Sequence, residues 1–196
     1  MSFCLGLTGS IGMGKSTTAA MFVEEGCALW DADAAVHRLY NKGAAVQPIA
    51  KRFPDAVVDG AVNRAALRDV IAADPSVLRE IEAIVHPLVA QDRAGFRQSE
   101  PADILVFDIP LLFETGSDAE MNAVACVSIP PDLQRQRVLD RGTMSEAQFE
   151  QIREKQMPNE EKCARSDYVI LTDTLDHARR QVNDIVRQIR TGLADA

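Results

Sequence analysis

Directly after the apolar run from Phe3 to Thr8 the chain reads Gly9-Ser10-Ile11-Gly12-Met13-Gly14-Lys15-Ser16, and a helix-compatible stretch follows. These residues fit the pattern G-x-x-x-x-G-K-[ST] in the setting the pattern demands, a strand before it and a helix after it. No other feature limits the fold as much, because the chain has to leave a strand, wrap its backbone and enter a helix within a few residues. Glycines permit the wrap, so that N–H groups converge on a polyphosphate, and the helix adds the positive end of its dipole. Lys15 then neutralises β- and γ-oxygens, and Ser16 offers its hydroxyl to Mg²⁺. A glycine turn that merely joins strand to helix is the plain alternative.

Further apolar runs lie at Ala28 to Asp31, Asp103 to Ile109, Ala123 to Ile129 and Tyr168 to Leu171, separated by longer helical patterns. Several are apolar throughout rather than alternating, as parallel strands covered on both faces are. Together with the first run they predict an α/β fold, a five-stranded parallel sheet flanked by helices. A chain of 196 residues, 46% of them hydrophobic, is expected to form a single domain, 1–196, around one substantial core. Within it, residues 59–98 hold no strand-like run and read as a helical insertion, with Asp74 capping a new helix at Pro75. His86 precedes Pro87 and is expected to end a helix, since proline disfavours helical geometry just before it. Residues 132–165 form a second, charged helical stretch with the form of a lid, where Ser145 and Gln148 resemble a capping box. Leu175 to Leu193 reads as a closing amphipathic helix with Val182, Ile185, Val186 and Ile189 on one side.

Composition removes several function classes. The net charge is −8 and the 21 basic residues are scattered, which excludes a phosphate-tracking surface for nucleic acid. Cys4, Cys27, Cys126 and Cys163 show no paired spacing and read as buried thiols of a reducing cytosol. No stretch approaches the roughly 18 apolar residues of a membrane span, and the N-terminal apolar run lacks a basic flank, so a soluble, cytoplasmic protein is expected.

Three further stretches carry chemistry. In "LWDADAAVH", Asp31 and Asp33 share a face if the chain is still extended, at the carboxyl edge of the sheet where open α/β folds bind ligands. One of them can accept a proton from an attacking hydroxyl, and a weak base suffices for a loose phosphoryl-transfer transition state; alternatively one or both cap the helix that starts near Ala34. "DILVFDIPLLFE" closes an apolar strand with Asp108, a position suited to Mg²⁺ held through water, or to a turn; Glu114 reads mainly as a solvated loop charge. In "DLQRQRVLDRGTMS", Arg137 and Arg141 are four apart and project from one helix face, either toward transferring phosphates or into solvent. The three histidines fit no metal pattern; His37 and His177 read as helix-surface positions, and Trp30 as packing.

The segments "LTGSIGMGKST", "DADAAVH", "NRAALRDVI", "IVHPLV", "FDIPLLFETG", "RVLDRGTMS" and "QMPNEEKCARSDYVI" stand in the order and spacing of dephospho-coenzyme A kinases, and the resemblance runs over nearly the whole chain. The combination of "DIPLLFE", the arginine helix and "QMP" is specific to that family among phosphate-loop kinases. The resemblance implies a nucleoside-kinase-like phosphate-loop fold and transfer of the ATP γ-phosphoryl group to the ribose 3′-hydroxyl of dephospho-coenzyme A, with Mg²⁺. Gly9, Ile11, Gly12, Met13, Gly14, Lys15, Ser16 and Thr17, with Arg137 and Arg141, would bind ATP. Asp33 would be the base, and Lys15 and Arg141 would stabilise the transferring group. Thr8, Asp31, Asp33, Arg64, His86 and Leu111 would line the acceptor site, Arg64 and His86 within the helical insertion. Family members often have arginine at the place of Ile152, beside Arg153 here, and Asp-Asn at that of Leu171-Thr172.

A nucleoside or nucleotide monophosphate kinase is the nearest rival, but residues 59–98 announce no nucleobase-monophosphate pocket. A non-catalytic nucleotide switch would carry an N-K-x-D segment after a later strand; "NKGA" at Asn41 lacks the aspartate and lies too early. The partners expected are the small molecules ATP and dephospho-coenzyme A, and the sequence sets no oligomeric state.

Overall fold

Apolar runs with both faces covered can satisfy their backbone only by pairing with one another, and all of those named above do so. The computed structural model describes residues 2–195. In chain order its elements are β1 (Phe3–Thr8), α1 (Lys15–Glu24), β2 (Ala28–Asp31), α2 (Ala32–Tyr40), α3 (Val46–Arg52), β3 (Val57–Val58), β4 (Ala61–Val62), α4 (Arg64–Ala73), α5 (Val77–Ser99), β5 (Ile104–Asp108), β6 (Ala123–Ser128), α6 (Pro131–Asp140), α7 (Glu146–Lys155), α8 (Asn159–Ala164), β7 (Tyr168–Leu171) and α9 (Leu175–Ala194). The chain divides into two compact units, Met1–Trp30 with Glu100–Ala196, and Asp31–Ser99.

The first unit is built on a five-stranded parallel sheet in the order β2-β5-β1-β6-β7. β1 is central, and its register with β5 sets Leu7 opposite Asp108. The N–H of Ile109 donates to the Leu7 carbonyl at 3.0 Å, so β5 ends beside the point where β1 turns into the glycine stretch. One face of the sheet packs Leu5, Leu7, Val106 and Val127 with Phe22 of α1 and with Val182, Ile185, Val186 and Ile189 of α9, the stripe expected of the closing helix. Trp30 is buried with its ring centroid 6.1 Å from that of Phe107, a packing role as expected. The charged stretch holds three helices, α6 to α8; Ser145 Oγ accepts from the Gln148 N–H and Gln148 Oε1 from the Ser145 N–H, which completes the capping box at α7.

The second unit has its own core, in which Leu39, Ile49, Val62, Leu67, Ile81 and Val85 cluster. It starts at Asp31, ahead of the stretch that reads as an insertion, and it contains a hairpin that helical periodicity does not show: β3 and β4 pair antiparallel, Val57 with Val62 and Val58 with Ala61. Asp59 and Gly60 both have positive φ, 51° and 74°, the geometry whose twist matches a two-residue hairpin loop. The signal was Asp-Gly between apolar pairs, carried by strands too short for any period to register. Pro87 does not end a helix either. α5 runs through it, because its stripe of Val77, Ile81 and Val85 is buried in the unit's core while Pro87 itself faces solvent, where a missing N–H is tolerated. Asp74 accepts from the Ser76 N–H and hydroxyl, at 2.9 and 2.7 Å, ahead of α5. Among the described residues no helix is long and apolar enough to cross a membrane.

Candidate active site

The glycine stretch folds as a concave loop between β1 and α1. Gly12 has φ +78°, and a Cβ there would lie 2.4 Å from Val138 Cγ2, so the position excludes any side chain on both counts. Gly14, with φ +92°, is the left-handed residue from which α1 starts. Among the described residues no side chain caps this helix and none in its first turn is acidic. The N–H of Thr18 is the first to bond back, to the Gly14 carbonyl at 3.1 Å. The first-turn amides of Lys15, Ser16 and Thr17 therefore have no intrahelical acceptor, and with the helix dipole they form an anion site. Lys15 Nζ, on the same turn, is ion-paired to Asp108 Oδ1.

Other backbone groups of the loop are already committed. The Ser10 N–H donates to Asn159 Oδ1 and the Ile11 N–H to Gln156 Oε1, each at 3.1 Å. The Ile11 carbonyl accepts from Gln134 Nε2 at 2.7 Å, and the Met13 carbonyl from the Thr172 hydroxyl at 2.6 Å. Ile11 thus has both backbone groups bound to protein in this state. Sequence alone assigns none of Gln134, Gln156, Asn159 and Thr172 a function: Gln156 and Asn159 stand in a segment that carries the resemblance, Gln134 only beside the arginine set, and Thr172 at a departure from the family pattern.

Asp108 is 2% exposed, at the end of β5 as the strand pattern expects. Thr8 is buried and donates its hydroxyl to the Pro110 carbonyl at 3.1 Å, while Leu111 is exposed. Glu114 is not a solvated loop charge. It accepts from the Met157 N–H at 2.9 Å and pairs at 2.9 Å with Lys162, which is fully buried and also donates to the Pro110 carbonyl at 2.8 Å. Burial pushes the Glu114 carboxyl up, but the hydrogen bonds from Lys162 and the Met157 amide outweigh it and hold the group below its ordinary value of 4.5. A lysine in a helix reads as surface charge, and nothing local in "NEEK" marks this one as interior.

A depressed carboxyl contributes stability above its unfolded value, and that contribution is lost as the pH falls through the lower folded value. Lys162→Met leaves Glu114 without its cation, and because the Glu114 side chain is 21% exposed the cost at neutral pH is expected to be about 1.5–3 kcal/mol. The gap to the parent chain should narrow once Glu114 protonates, below its ordinary value of 4.5. Urea unfolding of both chains across that range measures it, and a gap that does not change with pH would assign the loss to packing alone.

Arg137, half-buried on α6, points its guanidinium at the carbonyls of Thr172 and Asp173, at 2.8 and 3.1 Å. In this state it orders the segment after β7 rather than projecting into solvent. Arg141 stands one residue past the end of α6 and is exposed, as is Arg153, while Ile152 is half-buried. Thr172, at a departure from the family pattern, is the buried donor to the loop, and Leu171 beside it is exposed.

In the second unit the chain is already helical at Ala32, so period-two alternation does not put Asp31 and Asp33 on one face. Asp31 closes β2 and caps α2, its Oδ1 accepting from the Ala34 N–H at 2.9 Å; Asp33 is exposed in the first turn of the same helix. Arg64 opens α4 with its guanidinium 5.5 Å from the ring centroid of Tyr40, and His86 is exposed on α5. Cys4, Cys27 and Cys126 are buried as expected, Cys163 only partly, and among the described residues none of the four is in a disulfide.

The family model for dephospho-CoA kinase matches residues 3–176. The chain belongs to the dephospho-CoA kinase family. By that membership it is an ATP-dependent kinase, a transferase. It is similar to the dephospho-CoA kinase of Ruegeria pomeroyi, with 76% identity over 98% of both chains, and to that of Cereibacter sphaeroides, with 59% identity over 96% of both. A solved dephospho-CoA kinase from Campylobacter jejuni shares the fold, with a TM-score of 0.72 at 21% identity over 98% of this chain and 99% of that one.

The residues fit the Mg²⁺ that kinases of this fold employ. Magnesium keeps much of its water and takes one or two protein oxygens plus phosphate oxygens rather than a protein cage. Among the described residues no group of three or more His, Cys, Asp or Glu is gathered as a cage, and the Ser16 hydroxyl and Asp108 carboxylate are oxygen donors of the kind such an ion takes.

Proposed function

We propose that this chain transfers the γ-phosphoryl group of ATP to the ribose 3′-hydroxyl of dephospho-coenzyme A, giving coenzyme A and ADP, the last step of coenzyme A synthesis, in the cytoplasm. The observation that carries the reading is the uncapped first turn of α1, with its open amides and Lys15, in a chain 76% identical to a dephospho-CoA kinase.

In this reading Gly12 to Thr17 hold the triphosphate, and Lys15 exchanges Asp108 for β- and γ-oxygens when ATP enters. Ser16 and Asp108, the latter through water, would hold Mg²⁺, which supplies charge neutralisation on the phosphate oxygens. Asp33 orients the 3′-hydroxyl and takes its proton as the bond from O3′ to the γ-phosphorus forms; the bond from that phosphorus to the β,γ-bridging oxygen breaks, and ADP carries the electron pair away. Arg141 meets the charge on the transferring group, and the helices of residues 132–165 exclude water as a lid. Arg137, bound to carbonyls, acts through the segment after β7. Arg64, His86, Asp31, Thr8 and Leu111 serve the acceptor, the first two on its coenzyme moiety.

The test is ADP release from Mg-ATP by purified protein offered dephospho-coenzyme A, AMP, adenosine or shikimate. A large response to the first alone is expected. Equal stimulation by AMP would replace the acceptor with a nucleoside monophosphate, and ATP binding without ADP release on any acceptor would leave a switch protein.

A further inference from the structure

The peptide planes that precede Gly12 and Gly14 are where the phosphate loop is most easily deformed. Glycine accepts both signs of φ, so a plane next to it can flip at small cost and turn its N–H away from a ligand. In a trans peptide the carbonyl and the N–H point in opposite directions. Whatever grips the Ile11 carbonyl therefore aims the Gly12 N–H, and whatever grips the Met13 carbonyl aims that of Gly14.

Both carbonyls are gripped by buried side chains. Gln134 Nε2 donates to Ile11 O at 2.7 Å, and the Thr172 hydroxyl to Met13 O at 2.6 Å; the two residues are 3% and 7% exposed. Each also fills the space where the neighbouring glycine has no side chain. A Cβ on Gly12 would come within 3.5 Å of Gln134 Cγ, and one on Gly14 within 3.0 Å of Thr172 Oγ1. Thr172 is in turn fixed by Arg137, which donates to its carbonyl at 2.8 Å. The polarity is forced, because a backbone carbonyl only accepts and each side chain must present a donor.

We propose that Gln134 and Thr172 are positioning residues for phosphate binding, acting as locks on the Ile11–Gly12 and Met13–Gly14 peptide planes so that both glycine amides face the nucleotide's phosphates. The proposal rests on the reading that Gly12 to Thr17 hold the triphosphate. It gives Thr172, and Arg137 behind it, a task in nucleotide binding without contact to the nucleotide.

Thr172→Val and Gln134→Met nearly keep volume, add no charge and remove the donor, Thr172→Val also giving up the long 3.5 Å bond its hydroxyl accepts from Arg137 Nη1. Each should weaken Mg-ATP and inorganic tripolyphosphate by a similar factor, about tenfold, in calorimetric titration, as the loss of one buried hydrogen bond predicts. KM for the acceptor should stay within about twofold, and Thr172→Ser, which restores the hydroxyl, should return ATP affinity to near that of the parent. Variants that unfold at lower urea yet bind tripolyphosphate like the parent would show a structural role only and overturn the proposal, as would a Thr172→Ser chain as weak as Thr172→Val. Lys15→Ala in the same titration separates the two levels. If the parent binds Mg-ATP and Lys15→Ala does not, the phosphate-loop reading stands whatever Thr172→Val does; if the parent itself fails to bind, both fall.

Discussion

Asp33→Asn is expected to bind Mg-ATP within about twofold of the parent and to lose about 10²–10⁴-fold in turnover, the range for a removed general base. The substitution is close to isosteric and lies at an exposed position in the first turn of α2. The cap of that helix is Asp31, not Asp33, so the helix start survives and stability should change by no more than about 0.5 kcal/mol. Loss of rate with retained folding and ATP binding would then belong to the chemical step. Asp31→Asn is the companion variant, because asparagine is as good a cap as aspartate and leaves α2 intact. Single-turnover measurement with saturating acceptor distinguishes them. A normal rate from Asp33→Asn with a slow Asp31→Asn would move the proton acceptor to Asp31, and normal rates from both would leave the proton to water.

Lys15→Ala should abolish both nucleotide binding and transfer, with kcat/KM down by at least about 10²–10³-fold, the scale of one preorganised donor to developing phosphate charge. A stability effect accompanies it, because Asp108 is 2% exposed and loses its lysine. Removing one member of a buried pair costs about 3–5 kcal/mol, and Lys15 is itself 16% exposed, so the lower end applies. Adding Asp108→Asn to Lys15→Ala should recover most of the stability and none of the activity. Equilibrium unfolding and Mg-ATP titration on the two chains measure this, and undiminished ATP binding by Lys15→Ala would remove the phosphate loop from the mechanism.

The parts of the fold that were legible in the sequence are those in which neighbouring residues cooperate. The five strands of the parallel sheet match their apolar runs to within a residue at each end, since a buried parallel strand needs an unbroken apolar run. α9 and the capping box at Ser145 are likewise written in spacings of three and four. Local reading failed where context outweighed it. Pro87 sits inside α5 because burial of that helix's other side offsets one lost hydrogen bond, and β3–β4 exist because Asp59-Gly60 turns the chain, not because two-residue strands have a period. Asp31 and Asp33 lose the shared face that alternation implies because the helix begins at Ala32, directly after the strand, and Asp31 takes the capping role held open for it.

By itself the sequence determined the phosphate loop, the sheet that presents it and the family, because each is carried by contiguous residues whose backbone requirements are local. Tertiary structure alone decided what holds the loop in shape. Gln134 and Thr172 reach its carbonyls across 123 and 159 positions of chain, and Lys162 finds Glu114 across 48. Such bonds form because a buried polar group must find a partner wherever the fold brings one, and no spacing along the chain encodes which partner that is.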